Sequence, residues 1–229
     1  MFEILLLDLD DTILDFHLAE RYAIQKTLAA FGIEPNEEVC GIYSRINREH
    51  WQRLERRELT REQVRVGRFD ELFRTLGVGG DPLACADAYV ENLGQGHYFL
   101  PGAQEAVGRL SQKYRLFLVT NGNASVQEGR LKSAKITHYF EKVFISQLIG
   151  ANKPAVEFFN GCFAQIPDFD REKTLIVGDS LTSDILGGNN AGIATCWVNP
   201  GHLPHGGEIR VDYQIEALSQ LEALLETLR

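Results

Sequence analysis

The sequence is poor in cysteine, and its cysteines are not spaced for a shared site. Four occur in 229 residues, at Cys40, Cys85, Cys162 and Cys196, and no two of them form a C-x-x-C pair. A small secreted protein held together by disulfides normally has a denser and more regular set. The pattern therefore predicts four reduced thiols, as is typical of a cytoplasmic protein.

Long apolar runs are also missing from the sequence. The run Ile4–Leu7 near the N-terminus is closed off at once by Asp8. A signal peptide needs an apolar segment of about 7–15 residues, and a membrane-spanning helix needs about 20. The sequence thus predicts a cytoplasmic location and no membrane partner.

Positive charge is in deficit. Lys and Arg number 23 against 32 Asp and Glu, which gives a formal net charge of −9. Proteins that bind polymeric nucleic acid usually present a basic surface, so we expect no such partner. A small anionic substrate remains compatible with this charge, because a single metal ion can reverse the local field.

What the chain does contain is an alternation of strand and helix patterns. Continuous apolar runs, which are typical of strands covered on both faces, occur near 3–9, 115–121, 142–146, 174–179 and 193–199, and a final strand pattern is at 211–217. Helical patterns follow at 102–113, 124–136, 154–165, 182–191 and 218–229. Such βαβ alternation predicts an α/β fold built on a doubly wound parallel sheet.

One long stretch departs from this alternation. Helical patterns alone fill it, separated by glycine and proline in "FGIEPN" and "GVGGDP". The predicted helices are 16–31, 36–58, 60–76 and 82–93. We therefore predict an all-helical domain of residues 15–97 inserted after the first strand, and a core domain of residues 1–14 and 98–229.

Acidic side chains crowd the end of the first predicted strand, in "LLLDLDDTIL". Residues i and i+2 of a strand share a face, so we expect Asp8 and Asp10 to project together from its carboxyl end, where open α/β sheets bind ligands. Adjacent carboxylates tolerate each other when a hard cation such as Mg²⁺ lies between them. The same residues also fit an acidic turn in which Asp11 or Thr12 caps a helix.

Polar residues also follow three later predicted strands. Thr120 ends the second strand, and its hydroxyl and the N–H groups around Asn121 suit a phosphoryl oxygen. The ammonium of Lys153, after the third strand, suits a phosphate and a carboxylate together. Asp179 ends the fourth strand and fits a metal site, with Asp184 placed to orient metal-bound waters. Each of these polar clusters alone fits an ordinary turn or helix cap. Four such clusters, each at the end of a separate predicted strand, predict that they form one site.

Together these clusters resemble the four motifs of the haloacid dehalogenase-like hydrolase superfamily. The matching residues are Asp8-x-Asp10-x-Thr12, the strand ending in Thr120, Lys153-Pro154, and Gly178-Asp179-x₄-Asp184. The resemblance covers essentially the whole chain, and the inserted helices resemble that superfamily's first type of cap. The run "VGDSLTSDILGGNNAGIATCWVN" is more particularly similar to pyrimidine 5′-nucleotidases that act on ordinary and noncanonical pyrimidine deoxynucleotides.

The resemblance implies a phosphatase mechanism. Asp8 would attack phosphorus and form an aspartyl-phosphate, while Asp10 would protonate the leaving oxygen and then deprotonate a water. Thr120, Asn121 and Lys153 would bind the phosphoryl group. Superfamily members that cleave carbon–halogen bonds lack the acid, so the presence of Asp10 favours phosphate esters.

The resemblance also implies a cofactor and a substrate class. Mg²⁺ would be held by the carboxylates of Asp8 and Asp179 and by the backbone carbonyl of Asp10, with Asp184 in the next layer around it. The substrate would be a small phosphorylated metabolite, with pyrimidine nucleoside monophosphates first. We expect a monomer or a weak homo-oligomer.

Two other functions stay open at this point. A sugar-phosphate phosphatase or phosphomutase of the same superfamily would use the same Asp8 and Asp10 pair, and release of inorganic phosphate distinguishes a phosphatase from a mutase. A non-enzymatic binding or regulatory module is disfavoured, because every side chain needed for turnover is present.

The predicted helical insertion carries features of its own. Nine arginines lie between Arg45 and Arg74, interleaved with acids. This favours solvated helix faces with i,i+4 pairs over nucleotide contacts for any given arginine. Trp51, Phe69 and Phe73 are able to stack on a base, although aromatic residues at helical spacing usually form core.

Overall fold

The apolar runs pair into one parallel sheet in the computed structural model, which describes residues 1–228. Within those residues the sheet has six strands in the order β3-β2-β1-β4-β5-β6. They are β1 (Ile4–Leu7), β2 (Arg115–Thr120), β3 (Lys142–Ile145), β4 (Thr174–Gly178), β5 (Ala194–Val198) and β6 (Tyr213–Ile215). The winding reverses between β1 and β4, so a crevice opens at their carboxyl ends. The predicted fold class is confirmed.

Helices cover both faces of this sheet. They are α5 (Ala103–Leu110), α6 (Ala124–Ala134), α7 (Ser146–Ile149), α8 (Val156–Phe163), α9 (Leu186–Ala191) and α10 (Leu221–Thr227). Leu5 and Leu7 of β1 lie in one hydrophobic cluster with residues of α5, α6 and α10. Ile4 and Leu6 lie in a second cluster with residues of α8 and α9. Alternate side chains of a strand point to opposite faces, so burial on both sides explains the unbroken apolar run of β1.

The chain between β1 and α5 forms a separate group of helices. They are α1 (Phe16–Ala30), α2 (Glu37–Glu55), α3 (Arg61–Leu76) and α4 (Pro82–Leu93). These helices bury a hydrophobic cluster of their own, in which the rings of Tyr43, Phe69 and Tyr89 have centroids 5.3 to 5.5 Å apart. Thr60 begins α3 with a capping box. The helical insertion is present, while its status as a domain of residues 15–97 stays a prediction.

Two of the predicted helices do not begin as α-helices in the structure. The segment predicted over 182–191 begins as a π-helical turn, Leu181–Ile185, and continues as α9. The segment predicted over 218–229 begins as a 3₁₀ turn, Leu218–Gln220, and continues as α10, with Arg229 outside the described residues. No helix in the described part of the chain combines the length and the apolar character that crossing a membrane requires.

Gly188 lets α9 pack directly on the sheet, and this generates a stability test. A Cβ on Gly188 would lie 2.6 Å from side-chain carbons of Ile176 and Thr195. We expect Gly188→Ala to lower the free energy of unfolding by about 1–3 kcal/mol, because overpacking forces the buried neighbours apart. Urea unfolding measures the change.

Gly41→Ala is the matched control, since Gly41 is also a helical glycine. A Cβ at Gly41 would meet no atom of residues 1–228 within 4 Å. This substitution should stabilise the protein slightly, by up to about 1 kcal/mol, because alanine favours the helix over glycine. A Gly188→Ala variant as stable as Gly41→Ala would contradict the packing described here.

Candidate active site at the carboxyl edge of the sheet

The carboxyl ends of β1, β2 and β4 open into a cavity of about 350 Å³ beneath the helical insertion. The predicted site residues that line it are Asp8, Asp10, Asn121, Lys153, Asp179 and Asp184. Thr120 is the exception among the predicted set. It is 1% exposed, and its hydroxyl accepts a hydrogen bond from Gln127, 2.8 Å away. Its predicted role as a phosphate ligand stays a prediction.

A buried ammonium group joins two of the predicted carboxylates. The Nζ of Lys153 donates to Oδ1 of Asp8 (2.5 Å), to Oδ1 of Asp184 (2.7 Å) and to the carbonyl of Val119 (2.9 Å). These three bonds satisfy the three N–H groups of the ammonium. Burial lowers the pKa of Lys153, but the two carboxylates outweigh burial and raise the pKa overall. Lys153 is therefore positively charged at neutral pH.

Carboxyl groups outnumber ammonium groups in this cluster. Ligand oxygens of Asp8, Asp179 and Asp184 lie within 4.8 Å of one another. Burial raises the pKa of Asp8 to about 8, against the opposing effect of Lys153. Burial and the neighbouring Asp8 and Asp184 raise the pKa of Asp179 well above its usual value. Three clustered carboxyl groups offer the hard oxygen donors that a divalent cation such as Mg²⁺ prefers, so the residues present suit the predicted metal.

The local chain path brings Asp184 back to the end of β4. A Cβ on Gly178 would lie 2.3 Å from the carboxyl carbon of Asp184, so glycine alone permits this approach. The backbone N–H of Ser180 donates to Oδ2 of Asp184 at 3.1 Å. The π-helical turn that follows β4 carries Asp184 and places it beside Lys153. The predicted proximity of Asp184 to the metal-site residues is therefore present in the structure.

Asn121 uses its side chain to hold the segment that carries Lys153. Its Oδ1 accepts from the backbone N–H of Lys153 (2.9 Å), and its Nδ2 donates to the carbonyl of the same residue (2.9 Å). Nδ2 also lies 3.2 Å from the hydroxyl of Ser183. The side-chain amide is thus engaged in joining three chain segments. The predicted phosphate contact at Asn121 stays a prediction.

Asp10 has two partners that the motif pattern did not predict. Its Oδ2 accepts from Nε2 of Gln127 at 2.8 Å, and its Oδ1 forms an ion pair with Arg130. Both partners lie on α6, which follows β2. The only sequence signal for them is two polar residues three apart on the apolar face formed by Val126 and Leu131.

The helical insertion closes the cavity through Arg61, at the start of α3. Its guanidinium donates to the carbonyl of Gly122 at 2.9 Å and to the side-chain oxygens of Ser146 and Asn152. These three acceptors are uncharged, and burial lowers the pKa of Arg61. On α2, Glu55 accepts from the hydroxyl of Thr182 at 3.1 Å.

Some arginines of the insertion form exposed ion pairs, some line the cavity, and Arg65 does both, since it also pairs with Glu62. Arg56 and Arg74 form exposed ion pairs with acids, as the solvated-face interpretation predicts. Arg61, Arg65 and Arg68 line the cavity, and so does the ring of Trp51. The aromatic residues at 69 and 73 are buried among the helices of the insertion, as expected for core.

The chain matches known proteins over most of its length. Residues 5–198 match the family model of the haloacid dehalogenase-like hydrolases. The HAD-hydrolase YfnB of Bacillus subtilis is 38% identical over 96% of this chain and 94% of that protein. A crystal structure of YfnB bound to magnesium matches with a TM-score of 0.93 over 98% of both chains.

Two further relatives carry names that state a reaction. The pyrimidine 5′-nucleotidase PynA of Streptococcus pneumoniae is 36% identical over 96% of this chain and 93% of that protein. The pyrimidine 5′-nucleotidase YjjG of Escherichia coli is 29% identical over 95% of this chain and 95% of that protein. The similarity therefore extends over nearly the full length of each relative.

The buried ammonium generates a second stability test. Lys153→Met leaves Asp8 and Asp184 buried without their cation. We expect the free energy of unfolding to fall by about 3 kcal/mol, the lower end of the range for breaking a buried ion pair, because Asp8 is able to take up a proton. Urea unfolding at pH 7 measures the loss.

Lys173→Met is the matched control, because Lys173 also pairs with a carboxylate, Glu3, at 2.8 Å, but in an exposed position. Exposed pairs add little to stability, so this variant should unfold close to the wild type. Equal stability of the two variants would show that the Lys153 pairs are no stronger than surface pairs.

Proposed function

The chain belongs to the haloacid dehalogenase-like hydrolase family, and on that basis we propose that it is a Mg²⁺-dependent phosphatase that hydrolyses pyrimidine nucleoside monophosphates. Family membership confirms two predictions made from the sequence, the family itself and an enzyme of the phosphatase type. The observation that carries the proposal is the buried contact of Lys153 with Asp8 and Asp184, beside Asp179.

Asp8 is the proposed nucleophile. Lys153 binds its Oδ1, which leaves Oδ2 to attack. An electron pair of Oδ2 forms a bond to phosphorus as the bond between phosphorus and the ester oxygen breaks, and Asp10 gives its proton to that oxygen. In the second step Asp10 takes a proton from water as the water oxygen bonds to phosphorus. The bond to Asp8 then breaks, and inorganic phosphate leaves.

Charge compensation makes attack by one anion on another feasible. Lys153 offsets the charge of Asp8 in the ground state and stays in place as charge builds on the phosphoryl oxygens. Asp8, Asp179 and the Asp10 carbonyl would hold Mg²⁺, with Asp184 next to them. When bound, the ion supplies the additional positive charge that brings a phosphate dianion beside these carboxylates.

The shape of the cavity supports a nucleotide as substrate. The wall contributed by the insertion has an apolar part, with Phe16, Trp51, Leu54, Val90 and Leu93, beside the charged Arg61, Arg65 and Arg68. A flat heteroaromatic base suits such a wall better than a polyhydroxylated sugar does. PynA and YjjG are named for pyrimidine nucleotides, and we propose the same substrate class here. The cytoplasmic location and the monomer or weak homo-oligomer stay predictions.

Phosphate release from a panel of monophosphates tests the function. With Mg²⁺ present we expect dUMP and dTMP to exceed purine nucleotides and hexose phosphates in kcat/KM by about tenfold or more. Asp8→Asn should lower turnover by at least about 10³-fold while circular dichroism shows an intact fold. Retained turnover in Asp8→Asn would contradict the proposed role of Asp8 as the nucleophile. A hexose phosphate at the top of the panel would overturn the pyrimidine assignment, and its isomerisation without phosphate release would identify a mutase.

Binding of Mg²⁺ alone tests the metal site without turnover. A ligand that binds only the folded protein raises its melting temperature, so millimolar MgCl₂ should raise the Tm by several degrees. Asp179→Asn removes one carboxylate of the buried group and should abolish most of this rise. Asp70→Asn is the control, since Asp70 lies in an exposed pair with Arg74. An equal Mg²⁺ response in both variants would contradict the assigned ligands.

A further inference from the structure

We infer that Gln127 and Arg130 are positioning residues for the acid–base group Asp10. Neither residue belongs to the four motifs, and neither lies among the predicted site residues. The inference rests on the proposed function, in which Asp10 protonates the leaving oxygen. It adds that α6 holds the Asp10 carboxylate in the orientation that proton transfer requires.

Both oxygens of the Asp10 carboxylate are engaged from the same helix. Nε2 of Gln127 donates to Oδ2 at 2.8 Å, and Nη1 of Arg130 donates to Oδ1. Residues three apart lie on one face of a helix, so the two donors reach Asp10 side by side. A carboxylate held at both oxygens cannot rotate freely about its terminal bond. The free positions on its oxygens, one of which carries the proton when Asp10 acts as the acid, are therefore presented in fixed directions.

Burial makes this support rigid. Arg130 is 0% exposed and Gln127 is 2% exposed, whereas the side chain of Asp10 is 23% exposed and lines the cavity. Arg130 is thus enclosed behind the cavity, while Gln127 lies at the cavity wall beside Asp10. Exposed ion pairs are mobile and weak, but a fully buried guanidinium has few alternative positions. The arrangement is typical of a group that orients another side chain.

The same two residues connect Asp10 to other parts of the site. Nε2 of Gln127 also donates to the hydroxyl of Thr120 at 2.8 Å, which links Asp10 to the end of β2. Nε of Arg130 donates to the carbonyl of Gly96 at 3.0 Å, and its guanidinium lies 5.8 Å from the ring centroid of Phe16. Phe16 begins the helical insertion, and Gly96 lies where the chain returns from it. Arg130 thus connects Asp10 to both chain segments that join the core to the helical insertion.

The chemistry of leaving groups separates a positioning role from a structural one. A nucleoside 5′-alkoxide is strongly basic and needs a proton as it leaves, whereas p-nitrophenolate is a stable anion that leaves without one. The ratio of kcat/KM for dUMP to kcat/KM for p-nitrophenyl phosphate therefore reports on proton transfer from Asp10. General damage to the fold or to phosphate binding lowers both values and leaves the ratio unchanged.

The test compares Gln127→Met and Arg130→Met with wild type in saturating Mg²⁺. A positioned general acid contributes about 10²–10⁴-fold, so disturbing its position should lower the ratio by about 10- to 100-fold. Asp10→Asn should lower the ratio further. In the Asp10→Asn background, Gln127→Met should lower the ratio no more, because residues that act through one group are not additive.

Arg171→Met is the matched control for Arg130→Met. Arg171 also donates to a main-chain carbonyl, that of Ala191 at 2.8 Å, and lies 5.4 Å from the ring centroid of Phe163. It precedes the amino end of β4, opposite the site, so its loss should leave the ratio unchanged. If Arg130→Met fails to fold, Gln127→Met and Arg130→Lys decide the question, and Arg130→Lys should give an intermediate ratio.

The outcomes separate this inference from the proposed function. An active wild type whose ratio is unchanged in Gln127→Met and in every folded Arg130 variant overturns the positioning role and leaves the phosphatase intact. A wild type that releases phosphate from neither substrate overturns both. A ratio that falls in these variants and not in Arg171→Met establishes that α6 positions Asp10.

Discussion

The buried ammonium of Lys153 is the contact on which the rest of the site depends. It lies between Asp8, directly after β1, and Asp184, in the turn after β4, and it also binds the carbonyl of Val119 in β2. Three segments far apart in sequence therefore meet at one charged atom. Their meeting point is the place where the winding of the sheet reverses, the edge at which α/β proteins bind ligands.

Charge balance explains why such a cluster exists in a folded protein. Three clustered carboxylates face one lysine, and burial raises the pKa of Asp8 to about 8. Without further positive charge the group therefore favours protonation and opposes folding. In the proposed reaction, a cation and the hydrogen-bond donors around a bound phosphoryl group would offset these carboxyl groups. The cost of burying them in the free protein would then contribute to the affinity for those ligands.

Two arginines form hydrogen bonds between the core domain and the helical insertion. Arg61 projects from the insertion and donates to the carbonyl of Gly122 next to β2, whereas Arg130 projects from α6 and donates to Gly96 where the insertion returns. The first closes the cavity from above, and the second connects that return to Asp10. The position of the insertion is therefore connected both to the mouth of the cavity and to Asp10.

The sequence by itself determined the strands and the residues that follow them, because a strand buried on both faces must be continuously apolar and must end where polar groups meet solvent or ligand. The positions of Asp8 and Asp179 directly after β1 and β4 were predictable for that reason. Lys153 instead follows α7, and the fold brings it beside Asp8. The tertiary structure alone decided the support around them. Gln127 and Arg130 carry no motif, and their role follows from which face of α6 turns toward Asp10, a matter of packing between distant segments that local sequence patterns do not encode.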